Sequence, residues 1–326
     1  MGHRKHSQPR RGSLAYLPRG RAKSMEAKIR NWPISNTNNT PKIIGHAGFK
    51  VGCVQIASID DREKTPNAGK QIIGIGTIIA TPPAIIIGAR GYANDNKVYD
   101  IFALDLPKEI TKYIKIKKDN DLSKFEKLLH EIKKLFVVIF IVPNKIGLPQ
   151  KKPFIFEVGI NGGDIKHQIE YIKTMLGKSL KIDEVFEPGM KIDVAAITKG
   201  KGWEGPVTRW GVKRKQHKSR KSVREVGSLG PISPQNVMYT VPRAGQRGFH
   251  QRIEYNKRIM VMNNIDNTEF KINPDNGFKH FGFMMGDYII INGSVPGTTK
   301  RLIKLRAQMR CLQKKINKPN ILSVIT

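Results

Sequence analysis

The chain has 326 residues, of which 58 are Lys or Arg and 26 are Asp or Glu, so its formal net charge is +32. A positive field of this strength predicts a polyanionic partner and says little about the fold. The longest unbroken apolar run, Leu135–Val142, has eight residues and is too short to cross a bilayer, which argues against a membrane protein.

Residues 1–40 are rich in Arg, Gly, Pro and Asn and show neither helical nor strand periodicity. We interpret residues 1–42 as a basic N-terminal extension that becomes ordered on a partner. The extension is Arg-rich and acid-poor, as transit peptides are, but its Gly and Pro residues prevent an amphipathic helix, and it lacks the apolar core of a signal peptide. The chain is therefore predicted to be cytoplasmic.

The residue pattern changes near Ile43, where short β-branched runs alternate with turns rich in Gly, Pro and Asp. This alternation predicts the strands of a barrel or a sandwich over 48–59, 72–80 and 84–90. A Pro-Gly turn at 188–189 feeds another predicted strand. Strand patterns return at 287–292 and 301–305, where they would close the barrel that begins near Ile43.

The middle of the chain mixes both periodicities and predicts an α/β insertion over about residues 95–180. Apolar residues at helical spacing, with Lys and Glu between them, predict an amphipathic helix over 122–135. Strands are predicted over 136–142 and 154–160. A second helix is predicted over 164–176, with Asp164 at its N-cap.

Residues 201–258 separate the two predicted parts of the globular body, 43–200 and 259–326, and are mostly without periodicity. The sixteen residues Arg209–Arg224 contain eight Lys or Arg and no acid, whereas a solvated, salt-bridged helix would alternate both signs. Residues 1–50 and 199–258 together carry 22 of the net charge of +32. We predict a basic central loop that protrudes to bind nucleic acid.

Two glycine-rich strings resemble phosphate-binding motifs. Gly200–Gly205 fits GxGxxG, but Pro206 follows it and no apolar helical pattern comes next, so we interpret it as a Lys-bearing turn near phosphates and not as a dinucleotide site. Gly293–Lys300 lacks the spacing of a phosphate loop and is interpreted as a turn between strands.

Signatures of metal binding and of catalysis are missing from the sequence. The eight His residues form no HExxH, and no nucleophile elbow is present. Cys53 and Cys311 have no CxxC partner and are predicted to be isolated, packed thiols. We predict no metal, no cofactor and no enzymatic activity.

The candidate RNA-binding residues are the cations of the two basic segments, which would contact phosphates, together with several aromatic and histidine side chains. The aromatic rings could stack on unpaired bases or anchor the segments on the body, and the histidines could bond to RNA or be solvated. Base stacking and anchoring are also both open for Tyr16, Tyr239, Phe249 and Tyr255, whereas anchoring is favoured for Trp32. The candidates are Arg4, Lys5, Arg10, Arg11, Arg19, Arg21, Lys23, Lys199, Lys201, Trp203, Arg209, Trp210, Lys213, Arg214, Lys215, His217, Lys218, Arg220, Lys221, Arg224, His250 and Arg252.

Five strings together resemble one family. They are SQPRRGSLAYLPRGRAKS at 7–24, NWP at 31–33, DVAAITKGKGWEGPVTRWGVKRK at 193–215, GQRGFHQRIEYNKRI at 245–259 and GSVPGTTKRL at 293–302. The matches run in order across nearly the whole chain, and the two long ones are highly specific. On these strings the chain is identified as a member of the family of universal large-subunit ribosomal protein three, of the archaeal and eukaryotic type.

The resemblance implies a mainly β fold with some α, built on a six-stranded barrel like that of translation factors. It implies that the N-terminal arm and the central loop penetrate large-subunit rRNA toward the peptidyl transferase centre. It further implies binding near the 3′ end of that rRNA early in assembly, and a later influence on how aminoacyl-tRNA enters. Large-subunit ribosomal proteins fourteen and twenty-four-e are the implied protein neighbours.

The sequence departs from the family pattern at the tip of the central loop. Members usually carry a Trp there, and Ile232 stands at that position in GSLGPISPQNV. An Ile loses most of the stacking area and the indole donor. We expect the tip still to reach the catalytic centre and to hold it through contacts of Arg243, Gln246 and Arg247. These three residues and Ile232 are therefore also candidate RNA-binding residues.

Two other interpretations of the basic segments stay open at this point. They could dock an rRNA-modifying enzyme, although Cys53 and Asp193 do not stand in a catalytic context, or they could serve a general DNA-compacting protein. A preference for structured RNA over duplex DNA at raised salt separates these alternatives, because binding to phosphates alone would weaken similarly on both.

Overall fold

A computed structural model describes residues 9–33, 40–93, 97–103, 106, 110, 112–113, 131–233, 235–266, 270–310 and 317–326. The chain divides into two compact units. The arm–loop unit comprises Met1–Met25 and Ile197–Arg252, and the body unit comprises Glu26–Ala196 and Ile253–Thr326. The domain boundaries given by the sequence stay predictions.

Strands dominate the described residues, as predicted for a mainly β fold with some α. The helices are α1 (Ile165–Met175) and α2 (Pro206–Trp210), and 3-10 turns lie at Pro143–Ile146 and Ile182–Glu184. The strands are β1 (Lys42–Ile43), β2 (Gly45–Ile59), β3 (Gln71–Ala80), β4 (Ala84–Ala93), β5 (Val98–Phe102), β6 (Ile132–Ile141), β7 (Phe154–Asn161), β8 (Ser179–Leu180), β9 (Lys191–Ile197), β10 (Gly200–Glu204), β11 (Gly245–Gly248), β12 (Gln251–Asn264), β13 (Asp287–Asn292), β14 (Leu302–Ala307) and β15 (Ile321–Ile325).

Six of these strands form a closed ring in the order β2–β3–β13–β12–β9–β14. The ring closes because β14 pairs antiparallel with both β9 and β2, where Leu302 lies opposite Phe49. Strand β15 pairs with β2 outside the ring. The prediction that the last strand patterns close a barrel begun near Ile43 is thus confirmed. Gly293–Lys300 connects β13 to β14, also as predicted.

A second antiparallel sheet has the order β1–β7–β6–β4–β5, and β8 also pairs with β4. Helix α1 lies against β6 and buries Ile169 and Ile172. Asp164 occupies the N-cap of α1 as predicted, but its side chain makes no capping hydrogen bond. Residues 122–130 of the helix predicted over 122–135 lie outside the described residues. Its last four residues belong instead to β6, where Ile132 and Leu135 are buried.

Trp32 is an anchor on the body unit, which confirms the favoured interpretation. Its ring packs against the hydrophobic core and lies over two glycines, Gly45 of β2 and Gly159 of β7. A Cβ atom at Gly45 would lie 2.6 Å from the ring, and one at Gly159 would lie 2.7 Å from it. The indole therefore fills space that only glycines leave open on these two strands.

A buried ion pair ties three parts of the body unit together. Arg306 of β14 lies opposite Asp193 of β9 in the strand register, and its guanidinium is 2.7 Å from the carboxylate. Asp193 also accepts the backbone N–H of Asn256, and Arg306 donates to the carbonyl of Asn31. Because both charges are buried, loss of one partner would leave the other uncompensated, at a cost of about 3–5 kcal/mol. Asp193 thus has a structural role.

Cys53 does not fit the prediction of a packed thiol. It lies on β2 with its side chain exposed, and its Sγ is 3.8 Å from the hydroxyl of Thr77 on β3. Outward-facing positions alternate with core positions along a barrel strand, and the sequence does not show on which face a single Cys falls. Cys311 lies outside the described residues. Within those residues, no helix is both long and apolar enough to cross a membrane.

His46 of β2 is buried in the body unit between two backbone carbonyls. Its Nδ1 lies 2.9 Å from the oxygen of Ala47, and its Nε2 lies 3.3 Å from that of Leu180. Burial lowers the pKa of His46 to about 4, although both carbonyls act in the opposite direction. In the folded state, the imidazole of His46 therefore becomes a cation only at a pH well below its unperturbed pKa near 6.5.

This burial predicts that acid destabilises the protein through His46. The folded pKa is below the unfolded one, so the contribution is complete above about pH 6.5 and is lost as the pH falls toward about 4, by up to about 3 kcal/mol. Urea unfolding of the native protein and of His46→Gln across this window measures the loss of stability as the pH falls. The loss should be smaller in the variant by up to about 3 kcal/mol, and it does not disappear because the pKa of His250 is also lowered. His167→Gln, at an exposed position, is the matched control. Equal acid sensitivity of the native protein and His46→Gln would contradict the prediction.

Candidate nucleic-acid interface

The arm–loop unit is built on a two-stranded antiparallel sheet of β10 and β11. Trp203 lies opposite Gln246 and Glu204 opposite Gly245. Arg247 donates to Glu204 at 2.8 Å across the two strands. The string Gly200–Gly205 is thus mostly strand β10 and not the turn that the sequence predicted, because its residues pair with β11, far along the chain. The five-residue α2 follows it.

Trp210, at the end of α2, forms the centre of this unit. Its ring is 6% exposed, and its Nε1 donates to the carbonyl of Arg243 at 2.9 Å. The Arg19 guanidinium carbon lies 3.9 Å from the centroid of the ring, within cation–π distance. A Cβ at Gly12 would lie 2.5 Å from the ring, and Gly12 also has a φ of 70°. The structure therefore places Trp210 as an anchor with little surface left for a base.

Two arginines hold backbone carbonyls in place beside this ring. Arg209 donates to Gln246 at 3.0 Å and to Arg243 at 3.1 Å, and it is itself held by a bond from Arg19 to its carbonyl at 3.1 Å. Arg19 also donates to Ser13 at 3.0 Å. Burial, followed by the Arg19 charge, lowers the pKa of Arg209. Both guanidiniums thus have intramolecular partners before any phosphate is present.

His250 connects the N-terminal arm to β11. Its Nε2 accepts the N–H of Gly248 at 3.0 Å, so the neutral ring carries its proton on Nδ1 and donates it to the carbonyl of Gly20 at 2.8 Å. Burial lowers the pKa of His250, and the charges of Arg252, Arg19 and Arg209 lower it further. This keeps the ring in the neutral form that both hydrogen bonds require.

Further contacts run along the arm. The N–H of Ala22 donates to Phe249 at 2.8 Å, and Arg10 donates to Thr240 at 3.2 Å. The guanidinium of Arg252 lies 4.6 Å from the centroid of the Tyr16 ring. Residues 9–25, interpreted as an extension ordered only by a partner, thus make a network with the base of the loop. Sequence reasoning missed this network because Arg19 and Arg209 are 190 residues apart.

The candidate cations fall into two classes. Arg19, Arg209, Lys215, Arg247 and Arg252 are half-buried, and the other described cations are exposed. Arg4 and Lys5 lie outside the described residues. The exposed cations are Arg10, Arg11, Arg21, Lys23, Lys199, Lys201, Lys213, Arg214, Lys218, Arg220, Lys221, Arg224 and Arg243.

The remaining candidates differ in exposure. Trp203 is 76% exposed and Ile232 is 92% exposed, so both present apolar surface to solvent. His217 is exposed, while Gln246 is half-buried and donates to Gly248 at 3.0 Å.

The central part of the loop has little regular structure. Its described residues between α2 and β11 form no helix or strand. They make turns, such as the bond from the N–H of Ser219 to the carbonyl of Gln216 at 2.9 Å, and one longer backbone bond from Lys215 to Val223 at 3.0 Å. The arm–loop unit as a whole contains 20 Lys or Arg but only two acids, Glu204 and Glu225. Glu204 is neutralised by Arg247. The described residues contain no cluster of His, Cys, Asp or Glu that could hold a metal ion.

Comparison with known proteins identifies the chain. The family described as ribosomal protein L3 matches residues 1–325. The chain belongs to the ribosomal protein L3 family. The proteins it resembles include one named large ribosomal subunit protein uL3 from Methanococcoides burtonii, with 40% identity over all of this chain and 98% of that protein.

Two further archaeal proteins of the same name are similar to this chain to about the same degree. The one from Methanocaldococcus jannaschii is 39% identical over 98% of this chain and 97% of its own length. The one from Caldivirga maquilingensis is 38% identical over 95% of this chain and 92% of its own length. The L3 family consists of structural proteins of the large ribosomal subunit and not of enzymes. The predicted place of the chain, in the cytoplasm as part of the ribosome, follows from this membership.

Proposed function

We propose that this L3 protein binds large-subunit rRNA near its 3′ end through the arm–loop unit, and that it does so early in subunit assembly. The observation that carries the proposal is the charge of this unit, in which 20 Lys or Arg accompany two acids. Neutralising rRNA phosphates with these cations releases counterions and gives a strong, salt-dependent affinity.

The two classes of cation suggest a division of labour. Half-buried arginines such as Arg19 and Arg209 bond to backbone carbonyls and hold the arm on the loop. Exposed cations such as Lys213 and Arg214 extend from backbone without regular structure. The first class fixes the shape of the unit, and the second contacts phosphates, which position a protein on RNA without reading its sequence.

The rest of the proposed role concerns the tip of the loop. We assign the exposed tip at Ile232 to the neighbourhood of the peptidyl transferase centre, where it would support that centre and influence how aminoacyl-tRNA enters. Arg243, Gln246 and Arg247 would hold the loop from its base, since their backbone or side-chain groups bond to Trp210, Gly248 and Glu204. Large-subunit proteins fourteen and twenty-four-e are the proposed neighbours.

Competition binding tests the proposal. The full chain is offered the 3′ domain of large-subunit rRNA and duplex DNA of equal length, at about 0.3 M salt, where non-specific attraction is weakened. Preference for the rRNA by a factor of about 100 or more is the expected result, in line with the gap between specific and non-specific binding. Equal binding to both would indicate a general polycation and overturn the proposal.

A further inference from the structure

A shallow depression in the arm–loop unit lies between the N-terminal arm and the small sheet. Its volume is about 570 Å³, within the range of roughly 300–1,000 Å³ that small-ligand sites occupy. Arg21, Ala22 and Lys23 of the arm line it, and so do Gln246 and Phe249 of the loop. The backbone of β10 contributes Gly200 and Gly202, which place no side chain in the space.

The arm segment that carries both cations is fixed from two sides. The carbonyl of Gly20 accepts from His250 at 2.8 Å, and the N–H of Ala22 donates to the carbonyl of Phe249 at 2.8 Å. Arg21 lies between these two bonds and Lys23 follows them. The backbone that carries the two cations is thus fixed before an anion binds, so less backbone freedom is lost on binding.

The loop residues that line the depression suit a nucleobase. Phe249 has a φ of 53°, a left-handed backbone conformation that is unusual for a bulky residue and occurs often at binding sites. Its ring is an apolar surface on which a base can stack. The amide nitrogen of Gln246 donates to Gly248 at 3.0 Å, which orients the amide oxygen as an acceptor for an exocyclic amine.

We propose that this depression holds a single unstacked nucleotide of the bound RNA, with its phosphate between Arg21 and Lys23 and its base against Phe249. The inference rests on the proposed function and deepens it, because it changes the recognition from phosphate attraction alone to capture of one splayed base. A concave site with two cations, an amide and an aromatic ring fits a nucleotide better than a duplex backbone does, since paired bases cannot reach an aromatic ring.

Binding of adenosine 5′-monophosphate to the full chain tests the site without RNA. At about 0.1 M salt, this probe should bind at least about tenfold tighter than inorganic phosphate, because stacking adds to the phosphate contact. Phe249→Asn removes the ring and suits the left-handed backbone, since Asn tolerates it. It should weaken the nucleotide by at least about fivefold and leave inorganic phosphate unchanged.

Tyr239→Asn is the matched control, because Tyr239 is an aromatic residue of the same unit, 75% exposed and outside the lining. It should leave nucleotide binding unchanged. Equal affinities for the nucleotide and inorganic phosphate would overturn the site, and so would a Phe249→Asn variant that binds the nucleotide like the native chain. The rRNA competition is scored separately: if rRNA is preferred while either of these results is obtained, only the nucleotide site is wrong.

Discussion

Replacing Trp210 with alanine is expected to lower the free energy of unfolding of the arm–loop unit by about 3–5 kcal/mol. The indole is 6% exposed, it donates to Arg243, and it carries the guanidinium of Arg19 on its ring. Its removal takes away the surface on which the arm lies, so residues 9–25 should detach from the loop. Amide hydrogen exchange of the free protein measures this as faster exchange at Ala22, whose N–H bonds to Phe249.

Trp203→Ala is the control for this prediction, because it removes the same side chain from the same unit at a position that is 76% exposed. Its effect on the free energy of unfolding should stay within about 0.5 kcal/mol. Gly12→Ala reaches the same contact from the arm, since the new Cβ would lie 2.5 Å from the indole at a φ of 70°. It should also speed exchange at Ala22. Unchanged exchange in both Trp210→Ala and Gly12→Ala would show that the indole does not hold the arm.

Because Trp210 anchors the arm, the arm loses less conformational entropy when it binds RNA. An arm without contacts would lose conformational entropy along its whole length on binding, at about 1–2 kcal/mol per residue for the backbone alone. An arm already bonded at Gly20, Ala22 and Arg19 loses less. The contacts therefore favour binding by the arm and loop as one preformed surface, with the exposed cations positioned in advance.

The sequence predicted the barrel well because its strands carry strong local signals. β13 contains three consecutive buried Ile residues and β14 contains buried Leu and Ile, both next to turn residues, and such apolar positions are recognisable without knowledge of their partners. Strand β12 was missed, although it is 14 residues long. Its first half, from Gln251 to Arg258, is exposed or half-buried on both faces, so it shows no apolar alternation.

The sequence predicted the positive charge of the candidate interface but not which of its residues contact one another. Composition identifies a basic segment, since every Lys and Arg contributes equally to the net charge. It does not show that Arg209 and Arg19 are used inside the unit while Lys213 and Arg214 are exposed. That distinction depends on contacts between residues far apart in the chain, for which no local pattern exists. The same reason explains why Trp210 could be interpreted as either a stacking residue or an anchor.

Neutralising the exposed cations of the loop should have the largest effect on RNA binding. A variant with six loop cations replaced by Gln should lose at least about a hundredfold in affinity for the 3′ rRNA domain at about 0.1 M salt. The slope of log affinity against log salt should fall by roughly 0.7–0.9 for each phosphate that the variant no longer neutralises. The six residues, all exposed, are Lys213, Arg214, Lys218, Arg220, Lys221 and Arg224.

The control variant removes the same charge from the body unit, so any effect of net charge alone is matched. It replaces six exposed lysines by Gln, at Lys64, Lys70, Lys151, Lys152, Lys166 and Lys279. Its affinity should fall far less than that of the loop variant, and its salt slope should stay close to the native value, because long-range attraction between exposed charges is screened beyond about 10 Å at this ionic strength. Equal losses in both variants would mean that RNA responds to the total charge of the chain. A larger loss in the loop variant would mean that the cations around Arg209–Arg224 contact phosphates directly.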